Sequence, residues 1–333
     1  MKMRLLFNNY VRILFLSSIF CVSGVSQVIA GETVYVTNYN SDFVSLIDAE
    51  TNQKIIDIRT GKKPHGVAVT SDGRRVYVSN EGDNNVTVID AVTRQAVTNM
   101  AVGKTPNQLI ISKDGTKVYV TNNGEGTLSV IDTATNQVTK TIPVGRGPHI
   151  LQSSPDGSSI FVTLEGDGKL VIVDHAKQEL SGEITVYGFP RVLTVSPDGR
   201  WLYLTLRWLN GFLKIDTTEK KIVSAIDFGL PAFPVDGKAA HGLTISADGK
   251  FLYLTSQILN TVTIVETAKM KAKRTITVGK DPNWIEIAAD GPHAFVSNTA
   301  TNDVSVIDLK NNKVIAAIPV GKSPKRLAIG NIK

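Results

Sequence analysis

The chain has 333 residues, of which 36 are basic and 30 are acidic, and it contains a single cysteine. This length suits one large domain or two ordinary ones. The basic residues are spread along the chain without a basic block or a basic–aromatic alternation, so the sequence gives no indication of nucleic-acid binding.

The first thirty residues have the pattern of an export signal. Basic residues lead into the apolar run ILFLSSIFCV, and small residues precede Gly31, so we predict cleavage after Ala30. The run is too short and too interrupted for a membrane span. We therefore expect a periplasmic or secreted protein without stable membrane insertion. Because Cys21 lies in the leader, the mature chain is expected to hold no disulfide, thiolate metal site or covalently attached c-type haem.

One period organises the rest of the chain. An acidic marker recurs every 42 residues, with a single step of 50, and an Asp-Gly pair repeats in the same way. The acidic markers are Asp48, Asp90, Asp132, Asp174, Asp216, Glu266 and Asp308. The glycines of the pairs are Gly73, Gly115, Gly157, Gly199, Gly249 and Gly291. Seven copies thus fill the mature chain, with one eight-residue insertion between Asp216 and His241.

Each copy contains four short runs in which apolar residues alternate with polar ones and Val, Ile, Thr and Tyr are enriched. Such runs predict half-buried strands. The Asp-Gly pairs suit tight hairpins, and the acidic marker can accept hydrogen bonds from the backbone of the turn after it. Four antiparallel strands in about 40 residues are typical of a β-propeller blade. We therefore predict an all-β, seven-bladed β-propeller over 31–333.

The two ends of the chain are expected to close the ring. The mature chain starts on a second strand (ETVYVTN) and finishes on a first strand (PKRLAIG). One four-stranded blade would therefore combine residues 33–59 with 324–330, which leaves no open edge. A propeller of this size needs no partner in order to fold, so we expect a monomer.

The motifs YVTN at 35–38, YVSN at 77–80 and YVTN at 119–122 resemble the YVTN family of bacterial and archaeal propeller repeats. The resemblance covers residues 32–333. Within that family, FPRVLTVSPDG, the inserted FGLPAFPVDGKAAHG and the Trp of PNWIEI are similar to propellers associated with pyrroloquinoline-quinone-dependent catabolism. The resemblance implies a propeller of the same fold class as the lactonase-type propellers, and an exported location. It leaves the activity open.

The first strand of each blade lines the axis of a propeller, so the residue that opens this strand is expected at the channel mouth. The repeat spacing assigns seven polar residues to this position, which we call the mouth ring: His65, Asn107, His149, Arg191, His241, Asn283 and Lys325. His, Arg, Lys and Asn together suit a small anionic ligand, which Arg191 can hold bidentately and Lys325 as a point charge.

An apolar rim is predicted beside the mouth ring. The Asn of the YVTN motif becomes Leu164, Leu206 and Ser256 in three consecutive copies, and the loops that follow become more apolar. The rim residues are Trp208, Leu209, Phe228, Phe233, Ile258, Leu259 and Trp284. An exposed apolar cluster beside convergent polar groups is typical of a binding surface. The alternative is that the inserted loop simply covers Trp208.

We expect a non-catalytic propeller that binds an anionic ligand, or a periplasmic protein partner, on this face. Three other functions stay open. One is a lactonase-like hydrolase in which Glu286, placed below Asn283, acts as a general base. Another is a metal site of His65, His149 and His241, which the nearby cationic side chains disfavour. Redox-cofactor binding through the same histidines is the third, and because no residue favours it specifically, no cofactor is predicted.

Overall fold

The computed structural model describes residues 31–230, 237–289 and 291–332. The predicted export signal (1–30), with its cleavage site, and the predicted rim residue Phe233 lie outside these ranges. Within them the chain forms strands and turns, and no helix is present that is long and apolar enough to cross a membrane.

Twenty-eight strands form seven antiparallel sheets of four strands, the blades of a propeller. Blade 1 consists of β1 (Glu32–Asn38), β2 (Phe43–Asp48), β3 (Gln53–Arg59) and the last strand, β28 (Pro324–Asn331). The next three blades follow in chain order: blade 2 has β4 (Pro64–Val69), β5 (Arg75–Asn80), β6 (Asn85–Asp90) and β7 (Gln95–Ala101); blade 3 has β8 (Pro106–Ile111), β9 (Lys117–Asn122), β10 (Thr127–Asp132) and β11 (Gln137–Pro143); blade 4 has β12 (Pro148–Ser153), β13 (Ser159–Leu164), β14 (Lys169–Asp174) and β15 (Glu179–Thr185). The last three continue the order: blade 5 has β16 (Pro190–Val195), β17 (Trp201–Leu206), β18 (Gly211–Asp216) and β19 (Lys221–Asp227); blade 6 has β20 (Ala240–Ile245), β21 (Phe251–Ser256), β22 (Thr261–Glu266) and β23 (Lys271–Thr277); blade 7 has β24 (Pro282–Ile287), β25 (His293–Asn298), β26 (Asp303–Asp308) and β27 (Lys313–Pro319).

The ring closes as the sequence predicts. The last strand, β28, pairs antiparallel with β1, so both ends of the described chain belong to blade 1. The innermost strands β28, β4, β8, β12, β16, β20 and β24 contact one another in sequence around the axis. The β28–β1 pairing joins the first and last blade strands of the chain, so that neither β1 nor β28 is left as an unpaired strand where the ring closes. The predicted seven-bladed all-β propeller is therefore confirmed.

The core lies between adjacent blades, because the two middle strands of each blade bury nearly every side chain while the outermost strand exposes most of its residues. Tyr77 is 1% exposed in such an interface, and its hydroxyl donates a hydrogen bond of 3.0 Å to Asn136 Oδ1 in the next blade. The acidic markers act as predicted at the Asp positions, where Asp48 Oδ1, for example, accepts from the backbone amides of Glu50 and Thr51.

A hydroxyl in each second strand fixes the start of the inner strands. This hydroxyl belongs to the third residue of the YVTN motif. It accepts a hydrogen bond from a backbone amide in the inner strand of the same blade, namely the amide of the residue after the mouth-ring residue. In blade 3, for example, Thr121 accepts from Gln108, which follows Asn107. In blades 1 to 5 and 7 the same hydroxyl also reaches the mouth-ring carbonyl of the next blade. These hydroxyls belong to Thr37, Ser79, Thr121, Thr163, Thr205 and Ser297. The motif thus sets where each mouth-ring residue sits.

Candidate functional site

The mouth-ring residues converge at one end of the channel. The rings of His65 and His149 are 6.5 Å apart between centroids, and those of His149 and His241 are 6.2 Å apart, both edge-on. These histidines are buried, as are Asn107 and Asn283. Arg191 and Lys325 are partly exposed toward solvent. Residues separated by up to 260 positions in the sequence therefore share one opening, as the repeat spacing predicts.

A β-bulge gives each inner strand a second inward position. In blade 2, Pro64 pairs with Asn80 and Val67 with Val78, so that His65 and Gly66 both oppose Ser79. The same shift occurs in other blades, including blade 7. The residue after the mouth-ring position therefore also reaches the channel. This second set is Gly66, Gln108, Ile150, Val192, Gly242, Trp284 and Arg326.

Arg326, which the sequence analysis did not select, lies at the centre of the site. Its side chain is 1% exposed. Nη1 donates a hydrogen bond of 2.8 Å to Asn283 Oδ1, and Nη2 lies 3.5 Å from His149 Nε2. The guanidinium also lies 4.4 Å from the centroid of the Trp284 ring. Among the described residues Arg326 has no carboxylate ion-pair partner, and its Nε has no hydrogen-bond partner.

Burial and neighbouring cations perturb this cluster strongly. Burial, followed by repulsion from Arg191, lowers the pKa of Arg326 to about 9. Burial and then Arg326 lower the pKa of Lys325 as well. An arginine keeps its proton at neutral pH even after such a shift, so the site carries a buried positive charge. Glu165 attracts this charge, but no carboxylate of the described residues forms an ion pair with it.

Glu165 is the second residue that the sequence analysis missed. Its Oε1 lies 3.4 Å from Arg191 Nε and 3.8 Å from His149 Nδ1. Burial raises the pKa of this carboxyl, against the opposing attraction of Arg191, Arg207 and Arg326. In blade 4 the four motif positions are residues 161–164, and Glu165 follows them directly, in a loop at the mouth. A search for acids at that register would have found it beside Glu81, the equivalent residue of blade 2.

The three histidines are held as neutral rings. Burial is the main cause that lowers each pKa well below 6.5, and Arg326 is the next. His241 Nδ1 lies 2.7 Å from the backbone oxygen of Asn283, which is the acceptor that a motif hydroxyl takes in the other blade pairs. Nδ1 therefore carries the proton, since a carbonyl only accepts.

The histidines do not form a metal centre in this arrangement. In the part of the chain that is described, no group of three or more His, Cys, Asp or Glu side chains has the geometry to hold a metal ion. Arg326 lies at His149 Nε2, and its positive charge would oppose a cation there.

Glu286 does not lie with the mouth ring, where the hydrolase hypothesis needs it. It is on the same strand as Asn283 but beyond the Trp284 and Arg326 pair, and it accepts a hydrogen bond of 2.8 Å from Trp284 Nε1. It lines a separate cavity that contains none of the mouth-ring residues. The reason is geometric, because the stacked pair of Arg326 and Trp284 lies between Asn283 at the mouth and Glu286.

The predicted rim divides into three groups. Trp208, Ile258 and Leu259 are exposed, with 36% of the Trp208 surface accessible. Leu209 and Phe228 instead pack against the core cluster that spans blades 4 to 7 and blade 1. Trp284 is not on the rim, since the bulge turns it into the channel, where it is 8% exposed.

Phe189, which the sequence analysis did not select, extends the exposed group. Its ring meets Trp208 edge-on at 6.5 Å, and the Arg207 guanidinium lies 5.2 Å from the Trp208 ring. Gly237, at the end of the insertion, packs closely on Trp208, because a Cβ there would lie 2.5 Å from Cζ3. Phe189, Trp208 and Arg207 form what we call the aromatic shelf. Arg207 links it electrostatically to Arg191 and Glu165.

The loss of the motif Asn in blades 4 and 5 has a packing explanation. Asn122 Nδ2 donates to Ser129 Oγ at 2.9 Å in blade 3, and Asn298 bonds Ser305 in the same way in blade 7. Where Asn becomes Leu164 or Leu206, the partner becomes Val171 or Leu213, and these residues join the apolar clusters. A polar pair has therefore been exchanged for an apolar pair, which requires no ligand.

Two family models match the sequence. The family model described as YNCE-like beta-propeller matches residues 13–178, and the one described as Lactonase, 7-bladed beta-propeller matches residues 129–313. No curated protein matches the sequence.

Solved structures share the fold at low identity. Hydrazine synthase of Kuenenia stuttgartiensis is 22% identical with a TM-score of 0.74, covering 83% of this chain and 92% of that one. The periplasmic gluconolactonase PpgL of Pseudomonas aeruginosa is 20% identical with a TM-score of 0.76, covering 91% and 99%. A functionally unknown protein of Desulfotomaculum acetoxidans is 15% identical with a TM-score of 0.77, covering 90% and 99%. These likenesses concern the fold alone.

One family model spans more than half of the sequence, and the seven four-stranded blades agree with its description. The chain therefore belongs to the Lactonase, 7-bladed beta-propeller family.

Proposed function

We propose that the channel mouth binds a small organic anion, through a carboxylate or phosphate group, without chemical turnover. One observation carries the proposal: Arg326 is fully buried, and no carboxylate of the described residues pairs with it. A buried unpaired charge costs several kcal/mol, so proteins rarely keep one without a use for it. An anion that reaches Arg326 would neutralise this charge.

The surroundings of Arg326 suit an anion more than a cation. Arg191 and Lys325 add positive charge at the opening. Of the carboxylates nearby, Glu165 lies against Arg191, and Asp281 and Glu81 are engaged by Lys238 and Tyr39. The neutral histidines and Asn107 add hydrogen-bonding groups without adding charge. Charge-assisted hydrogen bonds from a guanidinium to a carboxylate or phosphate are stronger than neutral ones, and they are frequently bidentate.

The aromatic shelf gives such an anion an apolar contact. Phe189 and Trp208 lie beside Arg207, which faces the charged side of the mouth. Ligand sites commonly combine apolar walls with a few polar groups that fix orientation. We infer that the ligand carries an apolar portion next to its acidic group. If the shelf instead serves a protein partner, substitutions there will leave the binding of small anions unchanged.

Calorimetric titration tests the proposal directly. A panel of carboxylates and phosphates with and without apolar substituents is compared with the matching neutral amides and alcohols. Arg326→Gln removes the buried charge and should weaken binding at least tenfold, which corresponds to about 1.4 kcal/mol. The matched control is Arg146→Gln on the same face, since Arg146 is largely exposed and paired with Asp167. Equal binding of anions and their neutral analogues would refute the proposal.

A second candidate function is hydrolysis of a lactone at the same mouth. The observation that favours it is the position of Glu165 next to His149 and Arg191, in a chain of the lactonase family. Glu165 could take a proton from water, whose oxygen then bonds to the lactone carbonyl carbon. Cleavage of the ring C–O bond with protonation of the leaving oxygen would give a hydroxycarboxylate, an anion that Arg326 can hold.

Activity assays separate the two candidates. Hydrolysis predicts turnover of γ- or δ-lactones that Glu165→Gln lowers at least a hundredfold, while product binding survives. Pure binding predicts no turnover by the wild-type protein and unchanged anion affinity in Glu165→Gln. If the wild type hydrolyses lactones and Glu165→Gln does so at the same rate, this mechanism is excluded.

We also propose that the protein works in the periplasm or outside the cell. The N-terminal export pattern and the resemblance to YVTN propellers, including those associated with pyrroloquinoline-quinone-dependent catabolism, support this location. Cell fractionation, with N-terminal sequencing of the mature protein, tests it. Intact Met1 in a cytoplasmic fraction would refute it.

A further inference from the structure

A second cavity lies at the opposite end of the channel. Its volume is about 360 Å³, and it is lined by the later residues of inner strands, including 67–69, 151–153 and 327–329. Inner strands run from the mouth to the Asp-Gly turns, so this lower cavity faces the Asp-Gly side of the propeller. Small-molecule sites are commonly about 300 to 1,000 Å³ in volume. The lower cavity is therefore large enough for a small ligand.

Two hydrogen-bond acceptors of the lower cavity, Glu286 and Gln108 Oε1, have unused capacity. Glu286 accepts one hydrogen bond, from Trp284 Nε1, whereas a carboxylate has about four acceptor positions. Gln108 also lines the cavity; it is 6% exposed, and its Oε1 has no hydrogen-bond partner. A ligand with several N–H or O–H donors would satisfy both groups.

The negative charge of Glu286 is not balanced by the cavity wall. Among the described residues that line the cavity there is no Lys, Arg or His, and Glu286 forms no ion pair in the described part of the chain. Asp248 lines another cavity, of about 590 Å³, together with Glu286 and Tyr253, and it pairs with Lys250 at 3.0 Å. Arg326 covers Trp284 from the mouth side.

Apart from Gln152 and Ser153, which can donate as well as accept hydrogen bonds, the remaining walls are mainly aliphatic. Val67, Leu151, Leu327 and Ile329 contribute apolar surface around the carboxylate. This lining argues against a metal ion, because Ca²⁺ takes six to eight oxygen ligands and Mg²⁺ keeps several waters. A cation with its own apolar body fits better, since its alkyl part replaces water at the walls.

We propose that the lower cavity binds a small organic ammonium ion, with the charged nitrogen on Glu286 and Gln108 Oε1 and the alkyl part on the aliphatic walls. A protonated amine offers three donors and no acceptor, which suits the unused acceptor positions of Glu286 and Gln108. Burial raises the pKa of Glu286 to about 7, as expected for a carboxyl without a counter-charge. A bound ammonium ion would lower it again. The lower cavity is independent of the anion site at the mouth.

Titration with matched ligands tests the proposal. Butylammonium, butan-1-ol and butyrate are four-carbon ligands of similar size that differ in charge. NMR or calorimetric titration at pH 8 therefore measures how much the charge of the ligand contributes to its binding. Butylammonium should bind at least tenfold more tightly than butan-1-ol, and butyrate should not bind at this site. Glu286→Gln should remove that preference, whereas the control Asp248→Asn should keep it.

A second variant covers the case in which Glu286→Gln alters the fold. Ala68→Leu fills the cavity without touching the carboxylate, and it should abolish butylammonium binding while anion binding at the mouth persists. The proposal is overturned if butylammonium binds no better than butan-1-ol. It is also overturned if Glu286→Gln or Ala68→Leu binds butylammonium as the wild type does.

Discussion

The guanidinium of Arg326 lies 4.4 Å from the ring centroid of Trp284, and this pair stands between the two ends of the channel. On one side Arg326 bonds Asn283 at the mouth, and on the other Trp284 donates to Glu286. A cation on an aromatic face is stabilised by the ring quadrupole, more strongly when it is desolvated. The two residues therefore separate a positive mouth from a negative lower cavity.

Removal of the buried charge should stabilise the protein. For Arg326→Met we expect the free energy of unfolding at pH 7 to rise by about 1 to 2 kcal/mol, because the burial penalty of an unpaired charge exceeds its one short hydrogen bond to Asn283. Urea denaturation measures this change. A destabilised but folded variant would show that the contacts of Arg326 outweigh its desolvation.

The mouth histidines predict acid sensitivity. Their pKa values are well below 6.5 in the folded protein, so the unfolded chain binds more protons than the folded one below pH 6.5. Stability should therefore fall as the pH drops from 7 to 5, by up to about 1.4 kcal/mol per pH unit for each histidine. Denaturation curves for His65→Gln should show a flatter pH dependence. Asn107→Ala is the control, because it removes a buried mouth-ring side chain that does not titrate, and it should keep the wild-type slope.

Glu286 predicts the opposite pH trend. Its folded pKa of about 7 is above the ordinary value of 4.5, so its contribution to stability is lost as the pH rises through 7. Glu286→Gln should therefore be more stable than the wild type by about 1 to 3 kcal/mol at pH 8, and by little at pH 4. Thermal unfolding at both pH values measures the difference. An equal effect at pH 4 and pH 8 would contradict this account of the carboxyl.

The exchange of polar for apolar pairs can be reproduced in blade 3. Asn122→Leu alone should destabilise the protein by about 1 to 3 kcal/mol, because it leaves the Ser129 hydroxyl without its donor in an apolar setting. Adding Ser129→Val copies the Leu164 and Val171 pair of blade 4 and should recover part of the loss. A double-mutant cycle gives the coupling energy, expected at about 0.5 to 3 kcal/mol. Simple additivity would argue against a paired exchange.

The architecture was readable from the sequence because each blade repeats the same acidic marker, Asp-Gly turn and motif hydroxyl. The positions of His65, His149 and His241 followed from that period alone. Arg326 was missed because its register holds Gly, Gln, Ile, Val, Gly and Trp in the other blades, with no shared type to attract notice. Trp284 was misplaced for a related reason, since the strand alternation alone does not reveal the bulge that turns it inward.

Glu165 shows the same limit from the side of the loops. Its register holds Tyr39, Glu81 and Asn123 in the preceding blades, so the repeat pattern does not mark it as an inward residue. Only the spatial order of blades 4 and 5 brings its carboxylate to Arg191, which opens the next inner strand. Contacts of this kind depend on side-chain conformations across a blade boundary, which a repeat period does not encode.

Blade 1 also has a practical consequence for anyone handling the protein. Glu32 of β1 is paired with Asn331 of β28, and Asn331 lies beside the Asp-Gly turn of blade 2. A fluorescent reporter or surface tether attached at either of these strand ends would emerge on the side away from the histidines. Immobilised in this way, the molecule presents its cationic opening to the bulk solution, while the acidic opening faces the support.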